Sequence, residues 1–344
     1  MIRQANVDTL ITVFGGSGFL GRHVVRALCK EGYRIRVAVR RPELAGHLQP
    51  LGRVGQIHAV RANLRYPASV DAAARDADVL INLVGILFER GRQQFEAVHS
   101  VGAAVVARAA SAFGARLVHI SAIGADEASS SLYARTKAKG EKLVLAAMPS
   151  ATILRPSIVF GPEDEFFNRF AAMARVSPAL PLIGGGRTRF QPVFAGDVGA
   201  AVAMAVAGRA SPGTIYELGG PEVFSFKELM QFVLSTIERR RLLLSLPFSL
   251  AKFQAWFLQF LPRPLLTPDQ VELLKTDNVV SDAAKRDGRT LQGLGIEPTA
   301  IAVEVPLYLW RFRKTGQFRY ARHENSEIPG VRGQMSDVRD QKSA

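Results

Sequence analysis

Short apolar runs alternate with longer stretches of helical period along the first half of the chain. The run LITVF at 10–14 is β-rich, and from Phe19 onward apolar residues recur at helical spacing. A second strand is predicted over 33–39 (YRIRVAV), a short third over 57–60 and a fourth over 78–84 (DVLINLV). The fourth is apolar without alternation, as a strand covered on both faces of a parallel sheet must be. Residues 95–110, rich in alanine and valine, read as a helix, and 117–120 as a fifth strand. Strands and helices in turn, with short connections, predict an α/β fold built on a doubly wound parallel sheet.

The turn between the first strand and the first helix carries glycines at two overlapping spacings. Gly16, Gly18 and Gly21 give G-x-G-x-x-G, and Gly15, Gly18 and Gly21 give G-x-x-G-x-x-G. Such a turn needs one glycine to bend, one to let backbone approach a pyrophosphate, and one to let helix pack on strand. Phosphate then lies on the helix N-terminus, where N–H groups and the helix dipole favour negative charge. The second strand ends in Arg40-Arg41. An acidic residue near that position holds a ribose 2′-hydroxyl, whereas arginine accommodates a 2′-phosphate, so NADP(H) is expected over NAD(H). Asn63, after the third strand, either hydrogen-bonds an adenine edge or caps a turn. Gly85 ends the fourth strand, where backbone can lie against a cofactor.

The fifth strand delivers Ser121, and Tyr133 and Lys137 follow one helical turn apart on one face. Tyrosine suits a proton donor or acceptor at a carbonyl or alcohol, and serine can orient the carbonyl. A nearby ammonium lowers the tyrosine pKa and can hold a nicotinamide ribose.

With these residues the chain resembles the extended or atypical short-chain dehydrogenase/reductase superfamily. The segments at 154–162 (LRPSIVFGP), 191–198 (QPVFAGDV), 216–221 (YELGGP) and 224–229 (FSFKEL) extend the resemblance from about 10 to 234. It implies a Rossmann sheet with a smaller C-terminal α/β domain of the substrate-binding type. The expected division is a nucleotide-binding domain at 1–162, a smaller domain at 163–321 interleaved with the sheet, and a disordered tail at 322–344.

The expected cofactor contacts are the loop Gly15, Gly16, Ser17, Gly18, Phe19, Leu20 and Gly21, then Arg40 and Arg41, Asn63 and Leu64, and Val84 and Gly85. His99, the catalytic pair Tyr133 and Lys137, and Pro156 and Ile158 complete the set. No metal site is expected. Active members of the superfamily carry asparagine in an N-x-x-G setting where this chain has His99 before Gly102.

A narrower resemblance rests on 129–137 (SSSLYARTK), 140–142 (GEK) and 160–164 (FGPED) with Phe167 and Asn168. These are similar to the dehydrogenase-like accessory subunit of respiratory complex I, the alpha-subcomplex subunit nine type, and its bacterial relatives. That resemblance implies bound NADP(H), partnership with complex I subunits, and a place on the peripheral arm near membrane and quinone site.

Composition narrows the field only a little. Forty-four Lys and Arg against 30 Asp and Glu give a net charge of +14, which suggests an anionic neighbour such as nucleotide, phospholipid or acidic protein. No nucleic-acid module accompanies that charge. The single cysteine, Cys29, excludes an internal disulfide framework, fits a reducing compartment and reads as a core residue. No internal repeat, signal-peptide pattern or membrane span is evident.

Beyond Glu163, residues 180–187 (LPLIGGGR) read as a loop, Asp197 as the cap of a helix over 198–206, and 298–319 as a last amphipathic helix. The stretch 238–263 (ERRRLLLSLPFSLAKFQAWFLQFLPR) places three arginines before an aromatic-rich run that prolines interrupt. It is too broken to span a bilayer. It suits an anionic membrane surface, docking into an apolar subunit, or an ordinary buried helix.

Three functions fit the sequence. The first is an accessory or assembly subunit of complex I, peripheral on the inner face of a bacterial or mitochondrial inner membrane. The second is a working NAD(P)-dependent reductase, epimerase or dehydratase using Ser121, Tyr133 and Lys137 on a carbonyl, sugar-nucleotide or quinone-related substrate. The third is a sensor of the NADPH/NADP⁺ ratio.

Overall fold

A computed structural model describes residues 6–316 except 262, 263 and 265. The tail expected to be disordered lies outside the described residues. The chain runs β1 (Leu10–Phe14), α1 (Phe19–Lys30), β2 (Arg34–Val39), β3 (Ile57–Arg61), α2 (Pro67–Ala74), β4 (Val79–Asn82), α3 (Gly102–Ala112), β5 (Arg116–Ile120), α4 (Leu132–Ala147) and β6 (Thr152–Pro156). After β7 (Val159–Phe160), α5 (Phe167–Val176), β8 (Ala179–Ile183), β9 (Arg189–Phe190), β10 (Val193–Phe194) and α6 (Ala195–Val206), the chain reaches β11 (Ile215–Leu218). Then come β12 (Phe224–Ser225), α7 (Phe226–Thr236), β13 (Leu242–Leu246), α8 (Phe248–Leu258), α9 (Pro268–Leu273), α10 (Asp282–Arg286), α11 (Ile301–Glu304) and α12 (Pro306–Leu309).

The main sheet has seven strands in the order β11-β6-β5-β4-β1-β2-β3. Every pairing in it is parallel. Successive side chains go to opposite faces. Ile11, Val13, Val79 and Ile81 pack on the face covered by α1 and α6. Phe14, Leu80, Leu117 and Ile153 pack on the other, with α2 and α3. Both faces are covered, which is why the strands read as unbroken apolar runs. The strand order reverses between β1 and β4, and a crevice opens there at the carboxyl ends of the strands.

A third cluster lies apart from the sheet. Phe167 and Ala171 of α5, Leu180 and Leu182 of β8, Phe226 and Met230 of α7 and Leu309 of α12 all bury their side chains in it.

Four expectations change. Residues 95–110 are not one α-helix: Glu96–Val101 is a π-helical turn, and α3 begins at Gly102. Residues 180–183 are strand, because LPLI finds a parallel partner in the distant LLLSL of β13, and only the glycines that follow form the turn. Asp197 sits inside α6 and accepts from the amide (2.7 Å) and hydroxyl (3.0 Å) of Thr299, so it ties two segments together rather than capping its own helix. The segment 298–319 breaks at Pro306 into α11, α12 and a short 3-10 turn, and its last residues lie outside the described ones.

Candidate active site

The first turn is built as the glycine spacing requires. Gly15 adopts φ +81°, a conformation that a side chain disfavours, and its N–H donates to Ala38 O at 3.1 Å. A Cβ on Gly21 would come within 2.4 Å of Gly16 O, so glycine lets α1 pack against the loop. Gly18 has a different reason. Its backbone is extended (φ −76°, ψ −179°), and a Cβ there would meet nothing closer than Gly15 O at 3.4 Å. No protein group forbids a side chain; its absence keeps the space over the α1 N-terminus open. No side chain caps that terminus and its first turn holds no acidic residue. Bare amides facing an open space suit a phosphate.

Above this loop lies a cavity of about 1190 Å³ at the carboxyl ends of the main-sheet strands. Gly15, Ser17, Gly18, Phe19, Leu20 and Gly21 line it, with Arg40, Asn63, Leu64, Val84 and Gly85. Ser121, Tyr133, Lys137, Pro156 and Ile158 line it too. Gly16, Arg41 and His99 do not. Gly16 packs toward Val13 and Val37, and Arg41 is exposed. Asn63 Oδ1 accepts from the Arg65 amide at 3.2 Å, so its carbonyl serves the turn. Arg65, which the sequence reading passed over, is a second cation on the cavity wall beside Arg40.

The trio converges. Ser121 is 3 % exposed, and its buried Oγ has no hydrogen-bond partner among the described residues. An orphaned hydroxyl at a cavity wall is where a ligand oxygen fits. Lys137, 5 % exposed, donates to Ile120 O at 3.3 Å and lies 5.9 Å from the centre of the Tyr133 ring. Burial brings Lys137 down to about 8, partly opposed by Glu141. The expected depression of Tyr133 does not occur. Burial first, and then the Asp269 carboxylate, push it up to about 12.

Asp269 is the other residue that the sequence reading missed. From the first turn of α9 it accepts from Leu132 N (2.6 Å), Ser131 Oγ (2.9 Å) and Tyr133 N (3.2 Å), and so fixes the start of α4. The pattern T-P-D-Q announces a helix start, but nothing local shows that its carboxylate serves a second helix. Asn278 plays a similar part at the end of β6. Its Oδ1 accepts from Ser157 Oγ (2.7 Å) and Ile158 N (3.0 Å).

His99 stands on the π-helical turn, behind the trio. Its Nε2 accepts from the Ile86 amide at 3.1 Å, which leaves the proton on Nδ1, 3.2 Å from Thr136 Oγ1. The ring stacks on Phe95 at 5.2 Å and meets Tyr133 edge-on at 5.1 Å. Burial, with Lys137 and His119 nearby, lowers it to about 2. Both nitrogens are engaged and burial keeps the ring neutral, and the ring packs between Phe95 and Tyr133. Among the described residues no group of His, Cys, Asp and Glu is placed to hold a metal, and no helix is long and apolar enough to cross a membrane.

Comparison with known proteins agrees with this geometry. The sequence profile of the NAD dependent epimerase/dehydratase family matches residues 11–219. The mitochondrial NADH dehydrogenase [ubiquinone] 1 alpha subcomplex subunit 9 of Arabidopsis thaliana is 36 % identical over 327 residues, covering 91 % of this chain and 80 % of that protein. Ceramide reductase of Caulobacter vibrioides is 41 % identical over 175 residues, 51 % of this chain and 54 % of that protein. The dTDP-glucose 4,6-dehydratase of Streptomyces venezuelae, solved with NAD and TYD bound, superposes with a TM-score of 0.68 at 19 % identity, over 92 % of this chain and 98 % of that one. Sheet order, glycine turn and family profile agree: the chain belongs to the NAD dependent epimerase/dehydratase family.

Proposed function

We propose that this protein is an NADP(H)-binding accessory subunit of respiratory complex I, peripheral at the inner face of the membrane. The observation that carries this is the likeness to subunit 9 of the complex I alpha subcomplex, at 36 % identity along 91 % of the chain. The glycine loop and bare α1 terminus hold the pyrophosphate. Arg40 and Arg65 take the 2′-phosphate, which favours NADP(H) over NAD(H). Lys137 holds the nicotinamide ribose. When bound, the dinucleotide supplies a hydride donor or acceptor. Ser121 positions an oxygen, and Tyr133 holds a proton.

The protonation states argue against rapid turnover. A tyrosine pushed up to about 12 resists forming phenolate at neutral pH, and His99 Nε2 is already taken by the Ile86 amide. A nucleotide held without turnover still stabilises the fold by mass action. The apolar surface of α8 is the side from which the protein meets the membrane or a membrane-embedded subunit.

Mild-detergent purification of the full chain from its own cell, with mass analysis of protein and nucleotide, tests this reading. Complex I subunits and NADP(H) should come down together. A chain that carries NADP(H) but no complex I subunit would overturn the assignment. A Tyr133→Phe chain should keep both.

A further inference from the structure

The cavity is larger than the glycine turn requires, and part of its wall comes from outside the main sheet. That part is unlike the rest. Phe170 and Met173 of α5, Ile183 of β8, Leu246 of β13, Leu258 of α8 and Leu274 just after α9 all face the same space. Its charged members are spent or of the wrong sign for a diphosphate. Arg169 pairs with Glu165 at 3.1 Å, and Asp277 pairs with Arg189 at 2.8 Å. A sugar nucleotide needs cations that converge on its phosphates. Arg40, Arg65 and Lys137, the other cations on the wall, stand with the dinucleotide loop and the trio. This wall instead offers an apolar lining to a ligand that keeps its polar atoms at the orphaned Ser121 Oγ.

The outer side of the same wall is apolar as well. Gln254 and Leu258, one turn apart on α8, line the cavity, whereas Phe253, Trp256 and Phe257 are 62, 53 and 54 % exposed. One short helix therefore separates the cavity from an apolar patch on the surface.

We propose that this compartment receives the hydrocarbon chain of a lipid-like ligand, whose carbonyl or hydroxyl head lies at Ser121. Two sources share that chemistry, acyl or sphingoid-type lipids and prenylated quinones. The ligand passes beside α8 from the apolar layer that this helix faces. The inference rests on the reading that the glycine loop holds NADP(H), because the dinucleotide closes the polar half of the cavity and leaves the apolar half for the chain.

Titration calorimetry on the purified full chain loaded with NADPH tests it. The probes are 3-oxo amides with tails of four, eight and twelve carbons, benzoquinones with tails of two, six and ten carbons, and UDP-glucose as the polar alternative. Affinity for one tailed series should rise with length, by up to about fourfold for each methylene buried. UDP-glucose should not bind. Leu258→Glu and the milder Met173→Gln should each weaken the twelve-carbon probe at least tenfold while NADPH fluorescence still reports a full nucleotide site. Binding of the amides alone, or of the quinone alone, identifies the source and supports the proposal. Tail-independent affinity, UDP-glucose bound as tightly as the tailed probes, or no tailed probe bound at all would overturn it. A chain that fails to bind NADPH would instead sink the nucleotide reading, so the two failures are distinguishable.

Discussion

Two neutral imidazoles lie beneath the trio. His119 is 2 % exposed, its Nδ1 faces Asn82 Nδ2 at 3.2 Å, and its Nε2 finds no partner among the described residues. Burial and the nearby Lys137 lower it to about 3, as burial lowers His99 to about 2. In the unfolded chain both return to the ordinary value near 6.5. Their contribution to stability is therefore present above pH 6.5 and is lost as the pH falls toward 3, because the unfolded chain takes up protons that the folded rings refuse. Between pH 7 and pH 5 the two rings together should remove about 4 kcal/mol. Urea unfolding at those two pH values measures it, and a His119→Gln chain should lose about half the pH dependence. Equal midpoints for the unsubstituted chain at both values would show that the rings already carry charge when folded.

At the scale of elements, one charged cluster joins α4 to the edge of the sheet. Arg155 of β6 makes a two-pronged contact with Glu141 of α4, at 2.8 and 2.6 Å, and lies 3.7 Å from Glu217 of β11. Glu141 and Arg155 are mostly shielded from water, so removing Glu141 leaves the guanidinium only its longer contact with Glu217. Glu141→Ala should cost about 3 kcal/mol, and Glu141→Gln less, because the amide still accepts from the guanidinium. Thermal melts of the two variants read this difference, and melts matching the unsubstituted chain would mean that water replaces the pair.

Local pattern also explains what the sequence made legible. Strand, glycine turn, helix and the Tyr133–Lys137 pair are short-range features, and each was readable where it stands. The β8–β13 pairing, the reach of Asp269 to α4 and the grip of Asn278 on Ser157 join residues far apart in sequence. No periodicity announces such partners. Tyr133 failed expectation for the same reason: its ionisation depends on burial and on a carboxylate that arrives from α9.

At the scale of the whole molecule, the basic flank of α8 is partly structural. Arg239 donates to Phe312 O at 3.1 Å and Arg241 to Ala174 O at 2.8 Å, while Arg240 is exposed. Both guanidiniums keep their charge but are turned onto main-chain carbonyls, so the exposed aromatic patch of α8 is the part of this segment that a flotation experiment can test most directly. Flotation with vesicles containing anionic lipid should recover the chain. A Trp256→Glu, Phe257→Glu double variant should remain at the bottom, and recovery equal to the unsubstituted chain would remove this face from consideration.

β11 enters the main sheet only after the excursion through β7–β10, and pairs with β6. On the ribosome, therefore, the nucleotide crevice can assemble while one flank of the sheet still has open amides and carbonyls. Until Leu218 emerges, that flank is a template for any other extended peptide.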